Sequence, residues 1–422
     1  MSSKLVAGNA RKLIYQIWML AWGSFAEVAR HLEYLKEQGL DIDYVWLSPI
    51  FDSPHIDSGY DVRNYYEVHG RFGSMDDFDS FVEAMKALEI GVLLDLPLNH
   101  VSDQHEWFQK ALDGDEEFKN YFLWTDDDLG WGNWFDGGTA FEYMPSLGQY
   151  YVHLFNKAQP DLNWRNSDVV AEFKKIIEFW SSRGVAGFRL DSAPLLVKSM
   201  HKTRLPRSLG AYAGVLHYYM RNETVAVLRE LFGETDLFTI SEAGLLLKHF
   251  ANKLAGPKAP LSATLNISVP DAFDRKMMLV KAGEDINRLR KVLHDWSRVP
   301  WYVASLESHD RPRITSLTGR SGEELVAMML EGKPQYACLY QGQEFGLQNP
   351  ELSIDELRSD IMFEMQYQSS IRKGALTEQD IARMKHSARA YARTPLNLKE
   401  CYISQKACLR AVVRLINEWK RV

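Results

Sequence analysis

The stretch GVLLDLPLNH, residues 91–100, decides the fold. Its first six residues, GVLLDL, are apolar on both faces except at Asp95, as a strand buried inside a parallel sheet is. After His100 the pattern breaks. Residues 100–166 are rich in Trp, Tyr, Gly and Asp and show no sustained period. That is too long for an ordinary connection between a strand and a helix, and it reads as a small inserted domain.

The stretches on either side repeat one unit, a short apolar run followed by an amphipathic helix. Toward the N-terminus, the run 13–18 precedes Ser24-Phe25-Ala26-Glu27, a capping box. Phe25, Val28, Ala29, Leu32 and Leu35 then keep helical spacing until Gly39. The run 43–47 is a second strand, and its helix carries Phe78, Phe81, Val82, Met85 and Leu88 on one face. Beyond the insert, Val169, Val170, Phe173, Ile176, Ile177 and Trp180 mark a helix that ends at Gly184. Strands are expected at 185–191, 237–242, 263–267, 301–307 and 334–341, and a last helix at 407–419. Eight such alternations suit a closed (β/α)8 barrel, with 1–99 and 167–422 as its two parts and 100–166 inserted after the third strand. A long doubly wound sheet has the same alternation, and periodicity alone does not choose between them.

Composition excludes several classes. With 49 basic and 56 acidic side chains the net charge is −7, which offers no electrostatic footprint for nucleic acid or anionic lipid. Cys338, Cys401 and Cys408 are odd in number and lack CxxC or CxxH spacing, so neither a disulfide framework nor a structural zinc is expected. The N-terminal MSSKLVAGNARK lacks the apolar core of a signal peptide, and no apolar run is long enough to span a bilayer. The expected compartment is the cytoplasm.

Polar groups gather where the expected strands end. Asp95, Asn99 and His100 follow the third, Arg189 and Asp191 end the fourth, Glu242 the fifth, and Glu307, His309 and Asp310 the seventh. In a barrel these ends open on one face, where active sites are built. Any one of them alone reads as a cap or a surface charge; carboxylates delivered by several strands to one rim do not. Arg189 and Asp191 are two apart and share a strand face, so the guanidinium would keep Asp191 ionised and ready to attack. Carboxylates, imidazoles and many aromatic rings fit glycosidic chemistry, which needs a nucleophile, a proton donor and stabilisation of an oxocarbenium-like transition state. Metal ligation by Asp95, His100, Asp191, Glu242 and His309 competes for the same atoms. It lacks HxH or HExxH spacing, and Arg189 would oppose it.

These residues carry a resemblance. DLPLNH (95–100), GFRLDSAP (187–194), ISEA (240–243) and ESHD (307–310) resemble the four ordered signatures of the α-amylase superfamily, glycoside hydrolase family 13. QPDLNW (159–164) resembles a fifth, in the form used by the oligo-1,6-glucosidase and α-glucosidase branch. SGYDVRNYYEV (58–68), YQGQEFGL (340–347) and ARTPLNL (392–398) also match, in the family's order. The resemblance implies a TIM barrel with a domain B after the third strand. It implies Asp191 as nucleophile, Glu242 as general acid/base and Asp310 as transition-state stabiliser. His100 and His309 would bond the sugar, Tyr60 would stack on it, and Arg189 would orient Asp191. Asp61 and Arg393 resemble the pair that fixes the non-reducing end in exo-acting members. Asp95, Asn99 and Glu344 would be structural. The implied activity is retaining hydrolysis of short α-glucosides, with transglucosylation or sugar isomerisation on the same site as the alternative and a non-catalytic scaffold as a remote one.

Departures from the family pattern shape the expectations. Many relatives carry a DGxGD-type cation loop after the first strand; here Ala21-Trp22-Gly23-Ser24-Phe25 has no carboxylate before Glu27, so no metal and no cofactor are expected. The family's C-terminal β-sandwich has no counterpart in the sequence, and the segment after Pro395 is short, which implies a pocket more open on its acceptor side. Ser192 stands where the oligo-1,6-glucosidase branch typically has Val, which leans toward α-1,4 or broad specificity. Trp124, Trp131, Trp134, Phe135, Phe141 and Tyr143 are expected to be mostly core of the insert. The expected partner is a small α-glucoside, with neither nucleic acid nor membrane.

Overall fold

The computed structural model describes residues 10–242, 248–265, 282–374 and 376–421. Residues 1–9, Ala243 and the end of the sixth expected strand (266–267) lie outside the described residues. Eight parallel strands close into a barrel. They are β1 (Lys12–Ile17), β2 (Tyr44–Leu47), β3 (Gly91–Pro97), β4 (Gly187–Asp191), β5 (Phe238–Glu242), β6 (Ala263–Leu265), β7 (Tyr302–Ala304) and β8 (Tyr336–Tyr340). Each overlaps one of the expected runs. β8 pairs back onto β1 from Lys12↔Tyr336 to Gln16↔Tyr340. An open doubly wound sheet has no such ladder, so the closed barrel is the architecture.

Barrel helices follow the strands, beginning with α1 (Phe25–Glu37), α2 (Met75–Ala87) and, after the insert, α3 (Ser167–Ser182); the chain's last helix is Lys406–Lys420. Ser24 caps α1 by accepting the amide of Glu27. The reciprocal half of the expected box is displaced by one residue, because the Glu27 carboxylate takes the amide of Gly23 at 2.8 Å. Ser74 and Asp77 form a complete box at α2. Such caps contribute about 1 kcal/mol each.

Strand alternation sorts the barrel interior into two layers. Ile14, Trp46, Leu93, Ile240, Ala263, Val303 and Cys338 make one buried apolar cluster. Two residues further along the strands, toward their C-terminal ends, the same face carries Gln16, Asp95 and Glu242. β4 contributes Gly187, Arg189 and Asp191 to that face. A Cβ at Gly187 would sit 1.8 Å from the carbonyl oxygen of Phe238, so only glycine lets β4 and β5 pair there.

Two excursions rise from the C-terminal rim. Between β3 and β4 lie two short helices (Glu106–Leu112 and Glu116–Lys119) and a three-stranded antiparallel sheet of Trp124–Thr125, Gln149–Val152 and Phe141–Met144. Its own apolar cluster includes Leu123, Trp131, Phe141 and Val152. After β8 come helices Ile354–Arg358, Ile361–Arg372 and Glu378–His386, packed through Leu357, Phe363 and Met384. No described helix is long and apolar enough to cross a membrane.

Glu344, just after β8, is fully buried and accepts the Tyr15 hydroxyl at 2.6 Å. His31 lies 3.7 Å from the same oxygen, but burial drives its pKa down to about 3, so the two do not form an ion pair at neutral pH. Burial raises the Glu344 pKa to about 7, against the pull of the Tyr15 hydrogen bond. A carboxyl whose folded pKa is raised binds its proton more tightly in the folded state. Its contribution is therefore complete below the unfolded value and is lost as pH rises through about 7. Glu344→Gln removes this titration. Between pH 5 and pH 8 the wild type should lose roughly 2–3 kcal/mol more stability than the variant, measured by urea unfolding at each pH.

Candidate active site

The site forms around the guanidinium of Arg189, whose side chain is 2% exposed. Its register on β4 faces Asp95 on β3 and Ile240 on β5, which puts it between the carboxylates of both neighbouring strands. Nη1 donates to Asp95 Oδ1 at 2.8 Å and to Asp191 Oδ1 at 2.6 Å, and Nη2 donates to Glu242. Trp46 and Tyr60 lie under it at 5.3 and 5.9 Å. One cation does not hold three buried anions, so protons are retained. Burial raises Glu242 to about 8, and Asp191, Asp310 and Asp95 add to the rise while Arg189 opposes it. Asp95 is raised to about 7 by burial, again against Arg189. The Glu242 carboxyl therefore favours its protonated form at neutral pH.

Asp310 is held the opposite way. Burial works against its charge, but His309, Arg393, Arg389 and Arg189 outweigh it and keep the carboxyl well below its ordinary range. Arg393 Nη2 donates to it at 3.1 Å, and His309 Nε2 lies 3.1 Å away. His309 stacks between Trp18 and Tyr60, with ring centroids at 5.0 and 5.6 Å. Gln16 Nε2 donates to its Nδ1 at 2.6 Å, which leaves the imidazole proton on Nε2, facing Asp310 and the Tyr60 hydroxyl. Burial keeps this ring neutral, with a pKa of about 3. Glu242 raised beside Asp310 lowered is the usual division of acid and base roles.

These groups open on a cavity of about 280 Å³, just under the roughly 300–1,000 Å³ typical of small-ligand sites. Asp191, Glu242, Asp310, Tyr60 and His100 line it, while Arg189 and His309 stand behind them. Trp134 and Phe135 of the insert reach the cavity, Trp131 and Phe141 are buried in the insert's core, Trp124 packs against the barrel's main core and Tyr143 is exposed, so fewer of these rings are insert core than expected. Met362 comes from the helices after β8, so a wall that the sequence did not reveal precedes Pro395. Ser192 follows Asp191 with φ 49°, a left-handed conformation that turns the chain sharply there, and such strain gathers at functional sites.

One expected pair is corrected. Asp61 is fully buried and spends its carboxylate on its own loop, accepting Ser53 Oγ at 3.1 Å and the amides of Ile56 and Asp57 at 2.7 and 3.0 Å. Arg393 turns to Asp310, Asp360 and the carbonyl of His309 and does not meet Asp61. The carboxylate and guanidinium that do meet in the cavity wall are Asp57 and Arg389, at 3.2 Å. Each lies four residues before the residue expected from sequence. The signal was present in the same two segments, but spacing does not tell which acid of a loop points inward. Gln159 Nε2 joins Asp57 to His100, at 3.1 and 3.0 Å. Asn99 is a support, bonded to Asp161 at 2.8 Å and to the buried Lys198.

The chain matches the family model for the α-amylase catalytic domain over residues 14–401. The protein belongs to the α-amylase family, glycoside hydrolase family 13. It is 31% identical over 418 residues to trehalose-6-phosphate hydrolase of Escherichia coli strain K12, a match covering 91% of this chain and 74% of that one. Oligo-1,6-glucosidase of Heyndrickxia coagulans is 29% identical over 425 residues, covering 92% and 76%. Among solved structures, the trehalose-6-phosphate hydrolase of Bacillus licheniformis superposes with a TM-score of 0.84 at 25% identity, over 98% of this chain and 84% of that one. Isomaltulose synthase of Klebsiella sp. LX3 shares the fold with a TM-score of 0.86. The protein is an α-glucosidase-type glycoside hydrolase.

The loop after β1 is closed by protein contacts: the Trp18 amide and the Trp22 indole both donate to Gln341 Oε1, at 2.7 and 2.8 Å. EDTA or added calcium should leave the melting temperature within about 1 °C, since a cation binding only the native state would raise it. The pH profile of kcat/KM should fall as pH rises through about 8, where Glu242 loses its proton, and Glu242→Gln should lack that basic limb.

Proposed function

We propose that the protein removes single glucosyl units from the non-reducing ends of short α-glucosides by retaining double displacement. The observation that carries this reading is the Asp57–Arg389 pair in the wall of the cavity that holds Asp191, Glu242 and Asp310. A carboxylate and a guanidinium side by side can bond a terminal sugar hydroxyl as acceptor and donor. They also leave no room for a chain to continue, which makes the action exo.

Asp191 attacks the anomeric carbon while protonated Glu242 delivers its proton to the leaving oxygen. The resulting glucosyl ester is then opened by water, whose proton returns to Glu242. The ionised Asp310 faces the positive charge that develops on the ring in both steps. Retention requires nucleophile and acid about 5–5.5 Å apart. Arg189, bonded to both carboxylates at once, supports that closeness. Tyr60 offers its ring to the sugar, and its hydroxyl donates to Asp95 at 2.8 Å. His100 stands on the same wall, tied to Asp57 through Gln159. The insert, residues 100–166, walls the side of the pocket through Trp134, Phe135 and Phe155. The unpaired thiols of Cys338, Cys401 and Cys408 suit a reducing compartment, the cytoplasm.

Maltose, isomaltose, sucrose, trehalose and trehalose 6-phosphate are the substrates to compare by product chromatography. Glucose released one unit at a time, with starch viscosity nearly unchanged, is the expected result; rapid internal cleavage of amylose would overturn the exo reading. Arg389→Ala should lower kcat/KM on the best disaccharide by about 10-fold or more, the loss of one charge-assisted contact of ~1.5–3 kcal/mol. Asp191→Ala should lose nearly all turnover, and azide should restore it with inverted product.

A further inference from the structure

Arg389 of the pocket wall and Arg393 behind it converge on one buried carboxylate, Asp360, which is 4% exposed. It precedes the helix Ile361–Arg372 and caps it, accepting the Phe363 amide at 3.2 Å. Capping needs one oxygen and no cation. Yet Asp360 also accepts Arg389 Nε on both oxygens, at 3.2 and 3.0 Å, with Arg389 Nη2 at 2.9 Å. Arg393 Nη1 donates to it at 2.9 Å. Beyond Asp360, Arg389 goes on to Asp57 at 3.2 Å and stands 3.9 Å from Asp310, while Arg393 donates to Asp310 at 3.1 Å and to the His309 carbonyl at 2.9 Å. Each lies over an aromatic ring, Arg389 over Phe135 at 5.2 Å and Arg393 over Trp18 at 4.4 Å.

Two buried cations this close repel one another, and a carboxylate between them lets both remain in place. Asp360 does not line the cavity, so it acts only through the arginines. We propose that Asp360 is a positioning residue that sets Asp57 and Asp310 together, through Arg389 and Arg393 respectively. This rests on the proposed function, in which Asp57 holds the end of the substrate and Asp310 faces the developing charge. Loss of the first contact shows in KM and loss of the second in kcat, so a single substitution at 360 moves both.

Asp360→Asn keeps the shape and, since Asn caps helices about as well as Asp, keeps the helix start. Its kcat and KM for maltose and p-nitrophenyl α-glucoside, measured beside its melting curve, test the proposal. The expected result is a folded variant with kcat/KM lower by roughly 100-fold, divided between a higher KM and a lower kcat, and with a lowered melting temperature, since two buried guanidiniums lose their shared counter-charge. Wild-type kcat and KM in this variant, whatever its melting temperature, would overturn the proposal. Should the Asn variant not fold, Asp360→Glu keeps the charge but moves it by one methylene. It should show the same split at about 10-fold, and unchanged constants there would equally overturn it. An inactive wild type would remove the proposed function and this inference with it. An active wild type with an unaffected variant removes the inference alone.

Discussion

The site depends on one buried cation. A guanidinium taken out of water costs several kcal/mol unless hydrogen-bond acceptors surround it, and Arg189 has three carboxyl groups within hydrogen-bond reach. The arrangement follows from barrel geometry. On β4, Arg189 shares a face with Asp191, and its register neighbours on β3 and β5 bring Asp95 and Glu242 to either side. The excess of carboxyls over cations then decides protonation. Glu242 and Asp95 keep protons near neutrality, while Asp310, served by the separate pair Arg389 and Arg393, does not. The acid–base division is thus an electrostatic consequence of how carboxyls and guanidiniums are packed together at one rim.

Around this centre the barrel supplies rigidity and the excursions supply shape. His309 lies nearly parallel to Trp18 and Tyr60 and is bonded by Gln16 from β1, which directs its proton toward Asp310. The insert and the helices after β8 meet over the pocket. Gln366 Nε2 donates to the Phe135 carbonyl at 2.8 Å, and Asn156 Nδ2 lies 3.2 Å from Met365 Sδ. Phe135 also cushions Arg389, so the two excursions share the end wall of the cavity. Elements far apart in the chain are thereby tied at the place where substrate would end.

Much of this was legible in the sequence, and the misreadings share a cause. Runs such as 91–96 and 185–191 read as buried parallel strands because a strand apolar on both faces is stable only where neither face meets water. The ordered signatures named the family, and Asp191, Glu242, Asp310, Tyr60 and His100 do meet in one cavity. The sequence resemblance points to Asp61 and Arg393, four residues beyond Asp57 and Arg389 in each case. Within a turn several polar residues are equally near a site in sequence, and only the local backbone decides which faces it. Asp61 is turned away by the amides of Ile56 and Asp57, which its carboxylate satisfies. Asp360 gave no signal, because a helix-capping aspartate looks the same whether or not arginines converge on it.

By itself, the sequence determined the alternation of strand and helix, the place of the insert, the family, and which carboxyls end barrel strands. Those follow from periodicity and strand parity, which are local properties of the chain. Only the tertiary structure decided that the alternation closes, that Asp57 rather than Asp61 meets an arginine, and that Glu242 keeps its proton while Asp310 loses it. Closure, pairing and protonation depend on distances between groups remote in sequence and on their shared burial, and a linear pattern does not contain those.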